Sequence, residues 1–119
     1  MPAPKQVIVL RKDLGMRKGK MIAQGAHASM KVILDQPKPY PGPMQQWLDG
    51  TFTKVVVSVQ SEEELLAVYQ QAQNQGIPCA LIQDIGKTEF SGVPTYTAVA
   101  VGPDYPEKID PITGELKLL

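Results

Sequence analysis

Four polar side chains recur at helical spacing near the start of the sequence. Residues 18–34 read KGKMIAQGAHASMKVIL, in which offsets of 0, 4, 7 and 11 carry Lys20, Gln24, His27 and Lys31. At about 100° per residue these positions fall within about 60° of one helix face. His27 is the only histidine of the chain, and an imidazole can exchange a proton near neutral pH. The stripe could therefore place a proton acceptor among cations, although a histidine on a helix surface or in a core is equally common.

The predicted start of this helix carries cations where anions are favourable. Arg17 precedes it, and Lys18 and Lys20 flank Gly19. The positive end of the helix dipole opposes each such cation by about 0.3–1 kcal/mol. Gly19 lacks a side chain that would block a ligand from the backbone. We therefore expect both lysines to act on a ligand.

A second polar segment, DIGKT, follows the third predicted strand and contains Asp84, Lys87 and Thr88. An aspartate before a glycine often caps a turn, so Asp84 also has a structural reading. The GKT sequence is not the end of a nucleotide-binding loop, because Leu81 stands where that motif needs glycine. One histidine and one cysteine do not make a zinc site, so we expect no metal.

Four strands and two main helices are predicted to position these segments. The strands are KQVIVLR, TKVVVSV, CALIQD and TYTAVAVG, and the second helix begins at a Ser61–Glu64 capping box. On the first helix, over residues 18–34, the apolar side chains expected to face the core are Ile22, Ala23, Ala26, Met30 and Ile33.

Right-handed crossovers make the first three strands parallel, and the last connection, which lacks a helix, makes the fourth antiparallel. We predict one domain over residues 1–119, a three-layer α/β/α sandwich with a mixed four-stranded sheet.

The carboxyl ends of parallel strands meet at one edge of a sheet, where α/β proteins bind ligands. The first strand leads to Lys18 and Lys20, and the third leads to Asp84 and Thr88. We expect one cluster at that edge, formed by Lys18, Lys20, Gln24, His27, Asp84 and Thr88.

The net charge of zero conceals an asymmetry. Residues 1–50 carry eight Lys/Arg against three Asp, a net charge of +5, and residues 51–119 carry four Lys against nine Asp/Glu, a net charge of −5. Six of the eight cations lie between Arg11 and Lys31. This distribution predicts a basic patch for a phosphate-rich ligand, unless the charges mix evenly over the folded surface.

The cysteine count and the apolar runs indicate the compartment. A single cysteine, Cys79, cannot form an internal disulfide, which fits a reducing environment. The apolar run at residues 7–10 is too short for a signal peptide or a membrane span. We expect a cytoplasmic protein without membrane attachment.

The segment KQVIVLRKDLGMRKGKMIAQGAHASMKV resembles the N-terminal signature of the type 2 peptidyl-tRNA hydrolases. SEEEL, GIPCALIQDIGKTE and GELKLL resemble later blocks of that family, in the same order over nearly the whole chain. The segment TEFSGVPTYT departs from the family pattern, which usually has a Pro-Gly turn soon after the T-E pair. The resemblance implies cleavage, without metal or organic cofactor, of the ester between a peptide and the 3′-terminal ribose of tRNA.

The resemblance also implies roles for individual residues. The active-site positions of the family fall on Lys18, Lys20, Gln24, His27, Asp84 and Thr88. We expect catalysis from these except Gln24, that is, from Lys18, Lys20, His27, Asp84 and Thr88. We expect Gln24 and its neighbours in the two polar segments to bind the 3′ end of peptidyl-tRNA, namely Arg17, Gly19, Lys31 and Lys87. Either Asp84 or His27 would be the base that acts on water. One of the two lysines would stabilise the oxyanion and the other would bind phosphate. Family members form homodimers, so a second copy is an expected partner.

Two alternatives belong to other functional classes. The chain could be a non-catalytic module that binds RNA ends or proteins on the same fold, because fold alone does not determine function. It could also be an esterase or amidase for small molecules, although the basic first half favours a polyanionic substrate.

Overall fold

A computed structural model describes residues 2–86 and 90–119 of the 119-residue chain. Within these ranges the helices and strands follow in the order β1 (Lys5–Arg11), α1 (Lys18–Leu34), α2 (Gly42–Asp49), β2 (Lys54–Val59), α3 (Glu62–Asn74), β3 (Cys79–Asp84), β4 (Thr95–Asp104), α4 (Pro106–Thr113) and β5 (Lys117–Leu118). The predicted first helix agrees with α1 in both bounds, and the predicted strands correspond to β1 to β4.

The described strands form one mixed sheet in the order β3-β4-β1-β2-β5. The prediction of four strands is therefore wrong: the C-terminal residues Lys117 and Leu118 add a short fifth strand antiparallel to β2. A strand of two residues gives too little alternation for a sequence pattern to reveal it.

The strand order also differs from the three adjacent parallel strands that two successive βαβ crossovers imply. β1 and β2 are neighbours and parallel, as the crossover rule requires. β4 lies between β1 and β3 and is antiparallel to both, so β3 points the same way as β1 and β2 without pairing with either. The carboxyl ends of β1, β2 and β3 consequently share one edge of the sheet, which we call the carboxyl edge.

Each face of the sheet has its own core, so the three-layer α/β/α arrangement is confirmed. On one face, α3 and α4 cover a cluster that includes the β-strand valines 7, 9, 57, 59, 99 and 101. On the other face, α1 and α2 cover a cluster that includes Ile8, Leu10, Ala80, Ala98 and Ala100. This second face carries small residues, which lets α1 approach the sheet closely.

The predicted buried side of α1 is wrong. The helix buries Gln24, Gly25, Ala28, Ser29 and Val32, whereas Ile22, Ala23, Ala26 and Met30 are exposed and Ile33 is partly buried. The buried face consists mainly of small or hydrogen-bonded residues. A prediction that looks for large apolar side chains does not identify such a face. A Cβ at Gly25 would lie 3.4 Å from Cγ2 of Ile8, and the Ser29 hydroxyl donates to Oε1 of the buried Gln6 at 2.5 Å.

Candidate active site at the carboxyl edge

Lys20 and Asp84 meet at the carboxyl edge of the sheet. β1 leads through residues 12–17 into the first turn of α1, which carries Lys20, and β3 ends at Asp84. The ammonium nitrogen Nζ of Lys20 lies 2.8 Å from Oδ1 of Asp84, and only 13% and 12% of the two side chains are exposed. The sequence prediction that α1 and the end of β3 meet is therefore confirmed for this pair.

The turn after β3 holds the other oxygen of Asp84. The backbone N–H of Gly86 donates to Oδ2 at 2.9 Å. Gly86 has φ of +84°, and a Cβ there would lie 2.5 Å from the carbonyl oxygen of Val93. Only glycine fits this combination of backbone conformation and close approach. Asp84 thus both caps its own turn and binds Lys20.

Gln24 and Thr97 complete the polar cluster. Gln24 is only 3% exposed, and its Nε2 donates a long hydrogen bond of 3.5 Å to Oδ1 of Asp84. The fully buried Thr97 donates from Oγ1 to Oε1 of Gln24 at 2.5 Å. Because Thr97 engages the amide oxygen, the amide nitrogen is the end that faces the carboxylate. We call Lys20, Gln24, Asp84 and Thr97 the edge cluster.

Thr97 reaches the edge cluster because β4 contains a β-bulge. Ile82 pairs with Ala98 and the next residue, Gln83, pairs with Tyr96, so Thr97 is an extra residue in β4. Ala98 packs on the α1 side and Val99 on the α3 side, as alternation requires. Past the bulge this alternation reverses, so that Tyr96 packs on the α3 side and Thr97 points at Gln24 on α1. A bulge beside a functional site that redirects a side chain is a recurrent device.

The pKa of Asp84 is lowered from its ordinary value. The hydrogen bond from Lys20 is the largest cause, the N–H of Gly86 and the charges of Lys20 and His27 act in the same direction, and burial opposes them. Asp84 is therefore a carboxylate at neutral pH and a weak proton acceptor. This chemistry suits an orienting anion better than a general base.

His27 and Lys31 lie one and two turns beyond Gln24 on the same flank of α1. Both are exposed, and no hydrogen bond joins the His27 ring to the part of the chain that the structure describes. Lys31 pairs with Asp35 at 3.2 Å. His27 is near enough to Asp84 for its charge to act on that carboxylate. The stripe predicted from spacing is thus buried at its start and open to solvent at its end.

Lys18 does not join the edge cluster. It lines a groove of about 450 Å³ on the other flank of α1, together with Ile22 and the C-terminal Leu119. Arg17 and Gly19 are exposed, and a Cβ at Gly19 would meet no atom within 4 Å. Two lysines two positions apart on a helix point about 160° from each other, which explains why Lys18 and Lys20 separate.

Arg11 contributes to the fold rather than to a basic surface. Its guanidinium donates to both carboxylate oxygens of Asp13, at 3.1 and 2.6 Å, and to the carbonyl oxygen of Tyr96 at 3.2 Å. The same hydrogen bonding lowers the pKa of Asp13. The basic patch predicted between Arg11 and Lys31 consequently lacks its first member.

Two predicted site residues, Lys87 and Thr88, lie outside the described residues. Of the residues that are described, sequence reasoning missed Thr97, and it also missed Phe90, whose ring centroid lies 5.7 Å from Nζ of Lys20. Nothing in TYTAVAVG signals the bulge, because its alternation looks regular. Within residues 2–86 and 90–119, no group of three or more His, Cys, Asp or Glu is placed to hold a metal ion.

The three-layer fold and the edge cluster define an α/β protein with a candidate hydrolytic site at the carboxyl ends of its strands. The chain belongs to the family "Peptidyl-tRNA hydrolase PTH2", whose model matches residues 4–119. No helix within the described residues is long and apolar enough to cross a membrane.

Curated relatives support the same assignment. The chain is 50% identical over 115 residues to the "Peptidyl-tRNA hydrolase" of Methanocaldococcus jannaschii, covering 97% of this chain and 99% of that protein. The protein of the same name from Methanococcus vannielii is 44% identical over 114 residues, which cover 96% of this chain and 97% of that protein. The one from Thermococcus onnurineus is 44% identical over 115 residues, which cover 97% of each chain.

A solved structure supports the fold alone. It is that of a protein of unknown function, Atu0240, from Agrobacterium, with a TM-score of 0.65 at 16% identity, and the similarity covers 100% of this chain and 99% of that one.

Proposed function

We propose that this protein is an enzyme that hydrolyses the ester between the peptide and the tRNA in peptidyl-tRNA, which releases the tRNA for reuse in translation. Family membership over residues 4–119 supports this function. The structural observation that carries it is the Lys20–Asp84 pair, held at 2.8 Å at the carboxyl edge by Gln24 and Thr97.

Lys20 supplies the positive charge that ester hydrolysis requires. Attack of water on the ester carbonyl places negative charge on the carbonyl oxygen, and a preorganised cation stabilises that charge. Asp84 fixes the position of the ammonium group, and its low pKa keeps it anionic while it does so. An ammonium carries three N–H donors, so one ammonium group can bind a carboxylate and an oxyanion at the same time.

His27 is the better candidate for the base that activates water. Asp84 is a weak proton acceptor, whereas imidazole is the side chain that exchanges protons in the neutral range. The ring of His27 is exposed and lies on the same flank of α1 as Lys20 and Gln24. In this proposal Thr88 holds the water or a ribose hydroxyl.

The tRNA part of the substrate would be bound by cations outside the edge cluster. Arg17 and Lys18 are exposed at the start of α1, next to Gly19, and Lys31 is half exposed two turns beyond Gln24. Lys87 belongs to this group by its position after β3. These cations offer charge to phosphates near the 3′ end.

A homodimer in the cytoplasm completes the proposal. The substrate is a product of ribosomes, which places the enzyme where translation occurs. An exposed apolar flank of α1 supports a second copy as partner: Ile22, Met30 and Leu34 are 73%, 61% and 74% exposed. Large apolar side chains exposed on one helix are a feature of surfaces that contact another protein. Sedimentation of the wild type beside Ile22→Lys tests this part, and equal masses at monomer size would contradict it.

The activity is tested by multiple-turnover release of free tRNA from purified peptidyl-tRNA. The wild type should turn over, and Asp84→Asn should lower kcat by roughly 10²–10³, the scale for losing a preorganised electrostatic contact. Asp49→Asn is the matched control, because Asp49 is an exposed carboxylate in α2 that contacts Gln45. Binding of tRNA without turnover would instead identify a non-catalytic module. Hydrolysis of small esters that uncharged tRNA does not inhibit would identify a small-molecule esterase.

A further inference from the structure

β3 forms an edge of the sheet, and this edge leads to the active site. The strand pairs with β4 on one side, and no described residue pairs with it on the other. Its sequence CALIQD ends at Asp84, the carboxylate that holds Lys20. A row of backbone donors and acceptors thus runs along the sheet toward the reacting centre.

The pairing with β4 determines which backbone groups are available. The N–H of Gly102 donates to the carbonyl oxygen of Pro78 at 2.7 Å, so residue 78 directs its backbone at β4. In an antiparallel ladder this orientation alternates, and the register is regular from Cys79 to Ile82. Cys79 and Leu81 therefore direct both their N–H and C=O groups at the open edge.

Within its described residues, β3 carries none of the lysines or prolines that usually protect an edge strand. Proteins block edge strands with lysines, internal prolines or inward charges, because an open edge invites pairing with another chain. Within β3 the first charged residue is Asp84, at its end, and Cys79, Leu81 and Ile82 are apolar and half-buried. An unprotected edge that stops at the active site is suited to receiving an extended peptide.

We propose that the peptide part of peptidyl-tRNA binds along β3 as an added strand, parallel to it. This inference rests on the proposed function. The ester joins the tRNA to the carboxyl end of the peptide, so that end must lie beside Lys20 and Asp84. β3 runs toward Asp84, and a peptide with its carboxyl end there and its body along the edge points the same way as β3.

Recognition through the backbone fits the chemistry of such a substrate. Peptides from different genes share their main chain and little else, and strand addition gives affinity through main-chain hydrogen bonds. Leu81 lies about 10 Å and Cys79 about 17 Å from Asp84 at about 3.3 Å per residue. The contacts should therefore involve peptide residues about three to five positions before the ester.

The first experiment varies the substrate and leaves the enzyme unchanged. Synthetic peptidyl-tRNAs carry a single N-methyl amide at successive positions, from the second to the fifth residue before the ester. A parallel added strand bonds through alternate residues, so kcat/KM should fall roughly three- to tenfold at every second position only. Equal rates at all four positions would overturn the proposal, as would a uniform loss without alternation.

The second experiment varies the enzyme. Leu81→Pro removes an N–H that faces away from β4, a position where an edge strand tolerates proline. Leu81→Ala is the matched control, because it shortens the same side chain and keeps the N–H. For a five-residue peptide, kcat/KM should fall roughly three- to tenfold in Leu81→Pro relative to Leu81→Ala. For tRNA carrying one N-acetylated amino acid, the two variants should be equal.

The outcomes separate the two proposals. If the wild type hydrolyses neither substrate, the proposed function fails. If it hydrolyses both and the five-residue substrate gains nothing over the one-residue substrate, only the β3 proposal fails. If Leu81→Pro does not fold, the N-methyl series on the wild type still decides.

Discussion

The Thr97 hydroxyl donates to the amide oxygen of Gln24 at 2.5 Å, across 73 residues of sequence. This hydrogen bond fixes which end of the amide faces Asp84, and Asp84 in turn fixes Lys20. A residue that touches neither water nor ester in the proposed mechanism therefore orients the charge that acts on the ester. It does so only because β4 has one residue more than β3 at this point.

Replacing Thr97 by Val tests that relay. Valine matches threonine in shape and lacks the hydroxyl, so the amide of Gln24 loses its fixed orientation. We expect kcat to fall roughly tenfold, equivalent to about 1.4 kcal/mol, with little change in KM. Thr113→Val is the control, because the Thr113 hydroxyl is also buried and donates to the carbonyl oxygen of Ile109 in α4, away from the edge cluster. Equal kinetics in the two variants would show that the relay has no catalytic role.

The two lysines at the start of α1 should respond differently to substitution. The sequence predicts that both face the ligand and weaken the helix. Lys20 is instead paired with Asp84. Lys20→Gln removes this ion pair and leaves the largely buried Asp84 carboxylate without the ammonium donor. The substitution should therefore lower the free energy of unfolding by about 1–3 kcal/mol. It should also lower kcat by roughly 10²–10³. Lys18→Gln should raise only KM, because Lys18 lies on the opposite flank of α1.

Thermal melting beside steady-state kinetics measures both effects. Lys20→Arg is an informative companion, because it keeps the charge near Asp84 and should retain most of the stability. A Lys20→Gln protein as stable as the wild type, with unchanged kcat, would remove Lys20 from the mechanism.

The pH dependence of stability should report the lowered pKa of Asp84. A carboxyl whose pKa is lower in the folded state stabilises the fold fully above its unfolded pKa, near 3.9, and loses that contribution as pH falls through the folded pKa. The difference in Tm between wild type and Asp84→Asn should therefore be constant above about pH 5 and shrink below about pH 4. Melting curves from pH 3 to 8 measure it. A difference that changes between pH 6 and 8 would contradict the assignment.

Substitution should show whether His27 or Asp84 is the base. His27→Asn should lower kcat roughly 10²–10⁴-fold, the range for losing a general base. Asp84 has a lowered pKa and remains ionised in the neutral range, so its own titration should not change kcat/KM between about pH 6 and 8. A His27→Asn variant with the kcat of the wild type, beside an inactive Asp84→Asn variant, would make Asp84 the base.

Salt should weaken substrate binding through the exposed cations. Arg17→Ala is expected to raise KM with little change in kcat, and to flatten the dependence of log affinity on log salt by about one unit. Lys108→Ala is the control, an exposed lysine on α4 that belongs to the acidic half of the sequence. An affinity that does not change between low and moderate salt would exclude a phosphate-binding role for this surface.

Sequence reasoning succeeded where local rules act. Ser61 and Glu64 formed a capping-box pattern, and the Ser61 hydroxyl accepts from the N–H of Glu64 at 3.1 Å. The crossover rule gave the directions of β1 to β3 and so brought Lys20 to Asp84. These features depend on neighbours in sequence or on chain handedness.

Sequence reasoning failed where contacts between residues distant in sequence determine the structure. The insertion of β4 between β1 and β3 follows from packing over the whole sheet. Gly25 and Ser29 fit against β1 and determine which face of α1 meets the sheet, whereas Ile22 and Met30 are exposed. With this face buried, Lys18 lies outside the edge cluster. The apolar residues on the exposed face of α1 are the reason that the sequence pattern predicts the wrong buried side.

The extra residue in β4 has a consequence for how this chain can change. Removal of Thr97 would let β3 and β4 pair without interruption, and local regularity generally favours the folded state. The same deletion would take away the hydroxyl that orients Gln24. A search for more stable variants that rewards sheet regularity would therefore favour inactive proteins at this position, a local case of the trade-off between stability and activity.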